Sequence, residues 1–482
     1  MKILHTSDWH LGQSFFTKSR KHEHQAFLKW LLNVVKKHEI DAVIVAGDVF
    51  DTGTPPSYAR ELYHGFIGEL QGLQCTLVVL GGNHDSVSVL NESKALLKYL
   101  NSHVIASTYG ETSEQVITLN NREGQPSAVL CAVPFIRPRD VLVSEAGQSA
   151  TDKRQALGDA IKQHYAALYH QAVAQRAALI EKAKGANDEQ NNGIPIVATG
   201  HLTALGVSQS ESVRDIYIGT LEGFDARGFP PADYIALGHI HRPQKVAKTE
   251  HIRYSGSPIP LSFDELNTQK QVVLVEFTSQ STSPCISTLP VPRFQPMEVI
   301  KGDLQAIEKA INASEAIAQA SKIDSINGAD TDSNKSTVWL CIEVETQDYL
   351  SDLQQRVQQF LEGKNAEILQ LKRVRQRTAK SLSETQNVQL SELSVKDVFE
   401  ARLALASLDE TPADTVTEAI EPQSKSTPLS RIDRIRHLFS DAVELVHTNK
   451  EDLANKEETE PLSTLSGSAS ASEQNQATQG EA

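Results

Sequence analysis

Disulfide scaffolding and membrane insertion are the first things this chain lacks the residues for. Its four cysteines, Cys75, Cys131, Cys285 and Cys341, are scattered over 482 residues with no CxxC pair. That excludes a disulfide framework or a cysteine zinc cage and predicts reduced core thiols. No run of eighteen apolar residues occurs, and the opening MKILHTSDWH has no long apolar segment of the kind a secretion signal carries. A cytoplasmic protein is the resulting expectation. Aromatic residues are sparse at 6%, although a hydrophobic fraction of 39% still allows a sizeable core. Positive charge is also short: the formal net charge is −15. Residues 1–300 carry 27 Lys and Arg against 30 Asp and Glu, whereas residues 301–482 carry 19 against 31. The acid is therefore concentrated late in the chain, and a local basic groove in the first 300 residues remains compatible with the balance.

Short apolar strands alternating with amphipathic helices fill residues 1–280. KILHTSD (2–8), DAVIVAGD (41–48), CTLVVLGG (75–82), AVLCAVPF (128–135), IPIVATGH (194–201), DYIALGHIH (233–241), IRYSGSP (252–258) and QVVLVEF (271–277) read as strands. Continuous apolar runs such as DAVIVAGD are the mark of strands buried on both faces. Residues 24–39, 57–71, 90–100 and about 153–184 read as helices. This is an α/β core. The Ser/Thr/Pro-rich stretch 279–292 reads as a linker. A second unit over 293–378 follows, with a strand at 337–345, a helix near 349–362 and a flexible insertion at 320–336. Two amphipathic helices are expected within 388–446, and 447–482 has the composition of a disordered tail.

Five of the strands end in polar clusters: SDWH (Asp8, His10), GDVFD (Asp48, Asp51), GGNHD (Asn83, His84, Asp85), TGH (His201) and GHIH (His239, His241). Gly-Gly-Asn by itself is a turn signal. Ligands of open α/β sheets, however, bind at the carboxyl ends of strands, and all five clusters fall there. His5 has no such cluster and reads as a satisfied core histidine. His22 and His24, at a helix start, read as solvated.

DxH, GDxxD, GNHD, GH and GHxH together resemble the motifs of the calcineurin-like metallophosphoesterases. HTSDWHLG, VAGDVFDTGTPPSYAR, GNHDS, RDIYIGTL and YIALGHIHRP are similar, within that superfamily, to the bacterial SbcD nuclease subunits, which belong to the double-strand-break repair nucleases. The likeness is dense over residues 1–300 and looser through SELSVKDVFEARLAL (391–405). It implies a β-sheet sandwich flanked by helices, a smaller α+β capping domain over 293–378 and C-terminal helices. It also implies two metal ions, one held by Asp8, His10, Asp48 and His241, the other by Asp48, Asn83, His201 and His239, with Asp48 bridging. His84 would face the leaving oxygen, and Asp85 would orient His84. Asp51 stands where many relatives have His and receives no catalytic role.

Only two of the implied ligands are carboxylates, so two divalent ions would leave a residual charge of about +2, enough for one phosphodiester and one hydroxide. Oxygen and imidazole donors without thiolate favour Mn²⁺-type ions. The implied activity is in-line phosphodiester hydrolysis of DNA. It comprises a 3′→5′ exonuclease on double-stranded ends and an endonuclease on hairpins, serving repair, replication and recombination. The implied partner is an SbcC-like SMC-family ATPase, bound through residues 388–446. A homodimer through residues 57–71 and 90–100, within a heterotetramer, is implied as well. The basic run Lys372, Arg373, Arg375, Arg377 and Lys380 is a candidate DNA contact of the cap. The competing readings are a small-molecule phosphodiesterase or phosphatase with the same motifs, and a non-catalytic DNA-end scaffold. The presence of both Asn83 and His84 weighs against the scaffold.

Overall fold

Strand Lys2–Thr6 lies at the centre of a six-stranded sheet and sets the level of its neighbours. It runs parallel to Ala42–Val45, which runs parallel to Thr76–Leu80; the pairs Thr6↔Val45 and Val45↔Val79 bring the strand ends into line. The sheet order is Ser281–Pro290, Gln271–Thr278, Lys2–Thr6, Ala42–Val45, Thr76–Leu80, Ser102–Ile105. A second sheet has the order Gln244–Lys245, Ile252–Tyr254, Tyr234–Gly238, Ile196–His201, Pro126–Cys131, Val116–Asn120. There Gly238 pairs with His201, again ending two parallel strands together. This computed structural model describes residues 1–142, 149–185, 193–214, 216, 223–278, 281–327, 337–345, 352–374, 435 and 438–439. The chain divides into two units, Met1–Arg377 and Thr378–Ala482, and the elements below belong to the first.

Period-two alternation along the strands gives each sheet two apolar faces. The inner faces meet: Ile3, Ile44, Val78 and Leu80 pack against Leu130, Val197, Tyr234 and Ala236. The outer face of the first sheet (Leu4, Val43, Val45, Leu77, Val79) is covered by helices Lys21–His38 and Ser57–Gln71. The outer face of the second (Val129, Ala198, Ile235) is covered by Leu157, Ile161, Tyr165 and Leu168 of helix Ala150–Gly185. The result is a helix–sheet–sheet–helix sandwich, as the resemblance implies.

A smaller parallel sheet follows, Met297–Gly302, Val338–Glu345 and Ala366–Val374, packed with helices Leu304–Ala313, Glu315–Asn327 and Leu353–Gln359. It joins the sandwich through an aromatic cluster in which Trp339 stacks on Phe15, ring centroids 5.7 Å apart, beside Phe263 and Met297.

Several expectations change. The supposed linker 279–292 contains strand Ser281–Pro290, paired antiparallel with Gln271–Thr278 at the sheet edge. An edge strand tolerates Pro and polar side chains, because one side of its backbone and much of its surface face solvent. The first half of the stretch read as a flexible insertion is helical to Asn327; residues 328–336 lie outside the described residues. Residues 90–100 form two short helices, Val87–Asn91 and Lys94–Lys98. Cys75, Cys131 and Cys341 are buried, but Cys285 is exposed on the edge strand. His24 is fully buried, since it sits on the inward face of helix Lys21–His38. His5 is a satisfied core histidine, bonded to the Tyr234 hydroxyl at 2.9 Å and the Leu237 carbonyl at 3.2 Å. Nearly all of the partner-binding region 388–446, all of the tail 447–482 and Arg375, Arg377 and Lys380 lie outside the described residues.

Candidate metal centre

Level strand ends bring the five polar clusters to one place. Asp8, His10, Asp48, Asn83 and His84 come from the first sheet, and His201, His239 and His241 from the second. The centre therefore straddles the seam between the sheets. Three groups of donor atoms lie within 4.8 Å of one another: Asp8, His10 and His241; Asp48, His201 and His239; and His10, Asp48 and His84.

The backbone bends sharply to aim these side chains. Asp8, His10, Asp48 and His239 all have positive φ, at 54°, 46°, 50° and 93°, a conformation uncommon outside glycine. The glycines beside them are sterically required. A Cβ on Gly82 would stand 2.1 Å from Asp48 Oδ1, and one on Gly47 would stand 2.1 Å from His201 Nδ1. Of the two glycines that follow strand Thr76–Leu80, Gly82 thus makes room for the Asp48 carboxylate, and Gly81 for the Ala106 carbonyl, which a Cβ would meet at 2.4 Å.

Several of the donors are held from behind. The His239 backbone N–H donates to Asp8 Oδ1 at 2.9 Å, and the Ser7 hydroxyl donates to Asp8 Oδ2 at 2.6 Å. The His84 backbone N–H donates to Asp48 Oδ1 at 2.9 Å. His201 Nδ1 donates to the Ala46 carbonyl at 2.9 Å, leaving Nε2 for the centre, where Asn83 Oδ1 lies 2.9 Å away and Asp48 Oδ2 lies 3.2 Å away. His10 Nδ1 bonds Asp51 Oδ1 at 3.0 Å, so Asp51 is the carboxylate that orients a histidine here.

Asp85 departs from its expected role. Its carboxylate accepts the backbone N–H groups of Val49, Phe50 and Gly82 at 3.1, 2.9 and 2.8 Å, pinning the second and third strand-end loops together. His84 is oriented instead through Nδ1, which bonds the Asp51 backbone carbonyl at 2.7 Å.

Electrostatics follow the crowding. Burial lowers the His201 imidazole, but Asp48 outweighs it and carries the group up to about 9. His10 is likewise raised, against its burial, by Asp51, Asp48 and Asp8. Burial would raise Asp48, yet His201, His10 and His84 hold it well below the ordinary carboxylate range. His239, buried and beside His201, is held well below the usual imidazole value.

A divalent ion fits this donor set. His10 Nε2 and His239 Nε2 are buried with no hydrogen-bond partner. Buried polar atoms of this kind are almost always satisfied, and a cation between the imidazoles and carboxylates satisfies both. The donors are the hard oxygens and borderline nitrogens that suit Mn²⁺, Fe²⁺ or Zn²⁺.

Some functional groups gave no pattern in the sequence. Glu265, Ser212 and Lys270 stand behind His241, tens of residues away in the chain. Arg214, exposed, acts electrostatically on Asp51 and His84; it opens the stretch RDIYIGTL, most of which lies outside the described residues.

The family model for calcineurin-like phosphoesterases matches residues 1–243. With the two-sheet sandwich and the donors at its seam, the class is defined: the chain belongs to the calcineurin-like phosphoesterase family. Curated relatives it matches include the SbcD subunits of SbcCD nucleases. It is 49% identical to that of Escherichia coli K12 over 410 residues, covering 85% of this chain and 94% of the relative. It is 33% identical to that of Rhodobacter capsulatus, over 62% of this chain and 71% of the relative. The Bacillus subtilis relative is 31% identical over 57% and 66%. Residues 293–406 match the model described as the type 5 capsule protein repressor C-terminal domain, SbcD_C. Among the described residues, no helix is long and apolar enough to cross a membrane.

Proposed function

We propose that this chain is the nuclease subunit of an SbcCD-type complex, a two-metal hydrolase that cuts DNA phosphodiester bonds at double-stranded ends and in hairpins. The observation that carries the reading is the meeting of seven ligand-type side chains at one seam with two orphaned imidazole nitrogens, in a chain collinear with 94% of the E. coli relative. Asp8, His10, Asp48 and His241 would hold one ion, and Asp48, Asn83, His201 and His239 the other, with Mn²⁺ the ion of choice. When bound, the pair supplies an activated water and neutralises phosphate charge.

The chain's own residues do the rest. Asn83 adds an oxygen donor without charge, which preserves positive potential for an anionic substrate. His84 commits Nδ1 to the Asp51 carbonyl and turns its other nitrogen toward the leaving oxygen. Asp85 keeps the loops of Asp48 and Asn83 at fixed separation. Arg214 offers its guanidinium to the scissile phosphate.

An SbcC-like ATPase and a second copy of this chain complete the assembly. Residues 388–446 are the proposed ATPase-binding segment. For the dimer, Leu90 and Leu97 are consumed by the chain's own core, while Leu96 and Tyr99 are 64% and 86% exposed and are the residues left to form an interface. On the cap, Lys372 pairs with Glu211 across to the sandwich at 3.3 Å, which places the start of the basic run beside the loop of Arg214.

A Mn²⁺-dependent assay on hairpin DNA, with and without the ATPase, tests the function. Cleavage that Mn²⁺ supports and EDTA abolishes is expected. Hydrolysis of bis-p-nitrophenyl phosphate with no DNA cleavage under either condition would replace it with the small-molecule reading.

A further inference from the structure

Glu265 is fully buried and accepts more hydrogen bonds than a structural carboxylate of a short 3₁₀ turn requires. Its Oε1 accepts from the hydroxyls of Ser212, of Ser210 at 2.8 Å and of Ser262 at 3.2 Å. Its Oε2 accepts from Lys270 Nζ at 2.5 Å, the Leu261 N–H at 3.0 Å and the Ser257 hydroxyl at 3.3 Å. Two of these donors, Ser212 and Lys270, lead on to one residue. The Ser212 hydroxyl lies 2.6 Å from His241 Nδ1, and Lys270 Nζ donates to the His241 carbonyl at 2.9 Å. The Glu265–Lys270 pair thus grips His241 at both its ring and its backbone.

A hydroxyl that donates to Glu265 must accept from His241. That fixes the proton on Nδ1 and leaves the Nε2 lone pair toward Asp8 and His10. Glu265 Oε1 itself lies 3.5 Å from His241 Nδ1, with the Ser212 hydroxyl bonded to both, whereas His201 is held by a backbone carbonyl.

We propose that Ser212 and Glu265 are positioning residues for the ion that Asp8, His10, Asp48 and His241 would share. Ser212 sets the imidazole tautomer, Glu265 sets Ser212, and Lys270 balances the buried charge while holding the His241 backbone. The same bonds tie the loop carrying Ser210, Ser212 and Arg214 to that ligand, so loop and ion are held by one latch. The residues that would hold the other ion apart from the shared Asp48, namely Asn83, His201 and His239, take no part in these bonds.

The inference rests on the two-ion reading, and the experiment separates the two. Mn²⁺ is titrated by calorimetry into the full-length metal-free protein and into its Ser212→Ala and Ser212→Thr variants. Outer partners of metal-bound histidines are worth about 10- to 100-fold in affinity. Wild type is expected to bind two ions. Ser212→Ala is expected to bind one unchanged and the other about 10- to 100-fold more weakly, with hydrogen exchange of residues 208–214 accelerated. Ser212→Thr, which keeps the hydroxyl, is expected to restore both. Wild-type binding of fewer than two ions would sink the two-ion reading itself. Two ions bound by Ser212→Ala with wild-type affinities would overturn the latch while leaving that reading intact. Equal weakening of both ions would also overturn it, since it would report a general loosening of the fold. Glu265→Gln should reproduce Ser212→Ala; should it fail to fold with Lys270 left unpaired, the serine pair still decides.

Discussion

Replacing Gly82 by alanine adds one methyl group at the most crowded point of the centre. The new Cβ would lie 2.1 Å from Asp48 Oδ1, 2.3 Å from the Asp48 backbone nitrogen and 2.7 Å from its Cγ. Non-bonded heavy atoms settle at about 3.5–4 Å, so the overlap exceeds ~1 Å and something must move. Neither neighbour moves freely: Asp48 Oδ1 holds the His84 backbone N–H, and the Gly82 N–H is held by Asp85. Overpacking of this kind costs the fold about 1–3 kcal/mol. The larger effect falls on rate. A displacement of about 1 Å in a reacting constellation costs on the order of 10²-fold, or ~2.7 kcal/mol of activation free energy. Gly82→Ala should therefore cleave DNA at least about a hundredfold more slowly at saturating Mn²⁺, while circular dichroism shows a folded protein. Gly158→Ala is the control, because its Cβ meets nothing within 4 Å inside helix Ala150–Gly185; it should gain about 0.5–1 kcal/mol and keep full activity. Wild-type turnover in Gly82→Ala would refute the assignment of Asp48 to the centre of the chemistry.

Further outcomes follow from the same geometry. His201 is carried up to about 9 in the metal-free protein, so it holds a proton at neutral pH that a metal ligand must shed; Mn²⁺ binding should release protons and tighten as pH rises toward about 9. Calorimetry in two buffers of different ionisation enthalpy reads this, and identical apparent enthalpies would contradict it. Trp339→Ala removes the ring stacked on Phe15 and should cost about 3–5 kcal/mol of cap attachment, visible as a separate early transition in urea; a single unshifted transition would contradict it. Leu96→Glu with Tyr99→Glu should convert a micromolar dimer into a monomer by light scattering, and a dimer surviving both changes would relocate the interface.

The centre was legible because its chemistry sits at the ends of apolar runs. Strands buried on both faces are continuous apolar runs, so the polar side chains of Asp8, Asp48 and Asn83 mark where each one stops. The covering helices were legible for the same reason, through the spacing of Phe27, Leu31 and Val35. What escaped was whatever local pattern does not encode. Strand Ser281–Pro290 carries Ser, Thr and Pro because it lies on an edge, and polar edge strands imitate linkers. His24 faces inward although its immediate neighbours are polar. Glu265 reaches Ser212 from 53 residues away, a meeting that only the folded sheets create. Asp85 sits beside His84 in the sequence but bonds other backbone, because the side chain points across to the neighbouring strand-end loop, to Val49 and Phe50.

Four of the residues at the centre, Asp8, His10, Asp48 and His239, occupy left-handed backbone that a glycine would adopt without strain. Such positions cost on the order of 1–3 kcal/mol each, less for Asp and His, which tolerate the region better than bulkier residues. Burial also opposes the charged forms of two of the four, His10 and Asp48, in the metal-free protein. The residues the chemistry needs are therefore those the fold would sooner lose. A random library sorted only for heat resistance should enrich glycine at these four positions, returning sturdier proteins with no turnover. Any engineering of this scaffold has to select for catalysis in the same round as stability, and proteins of this fold that have shed the activity should be recognisable by glycines where the ligands stood.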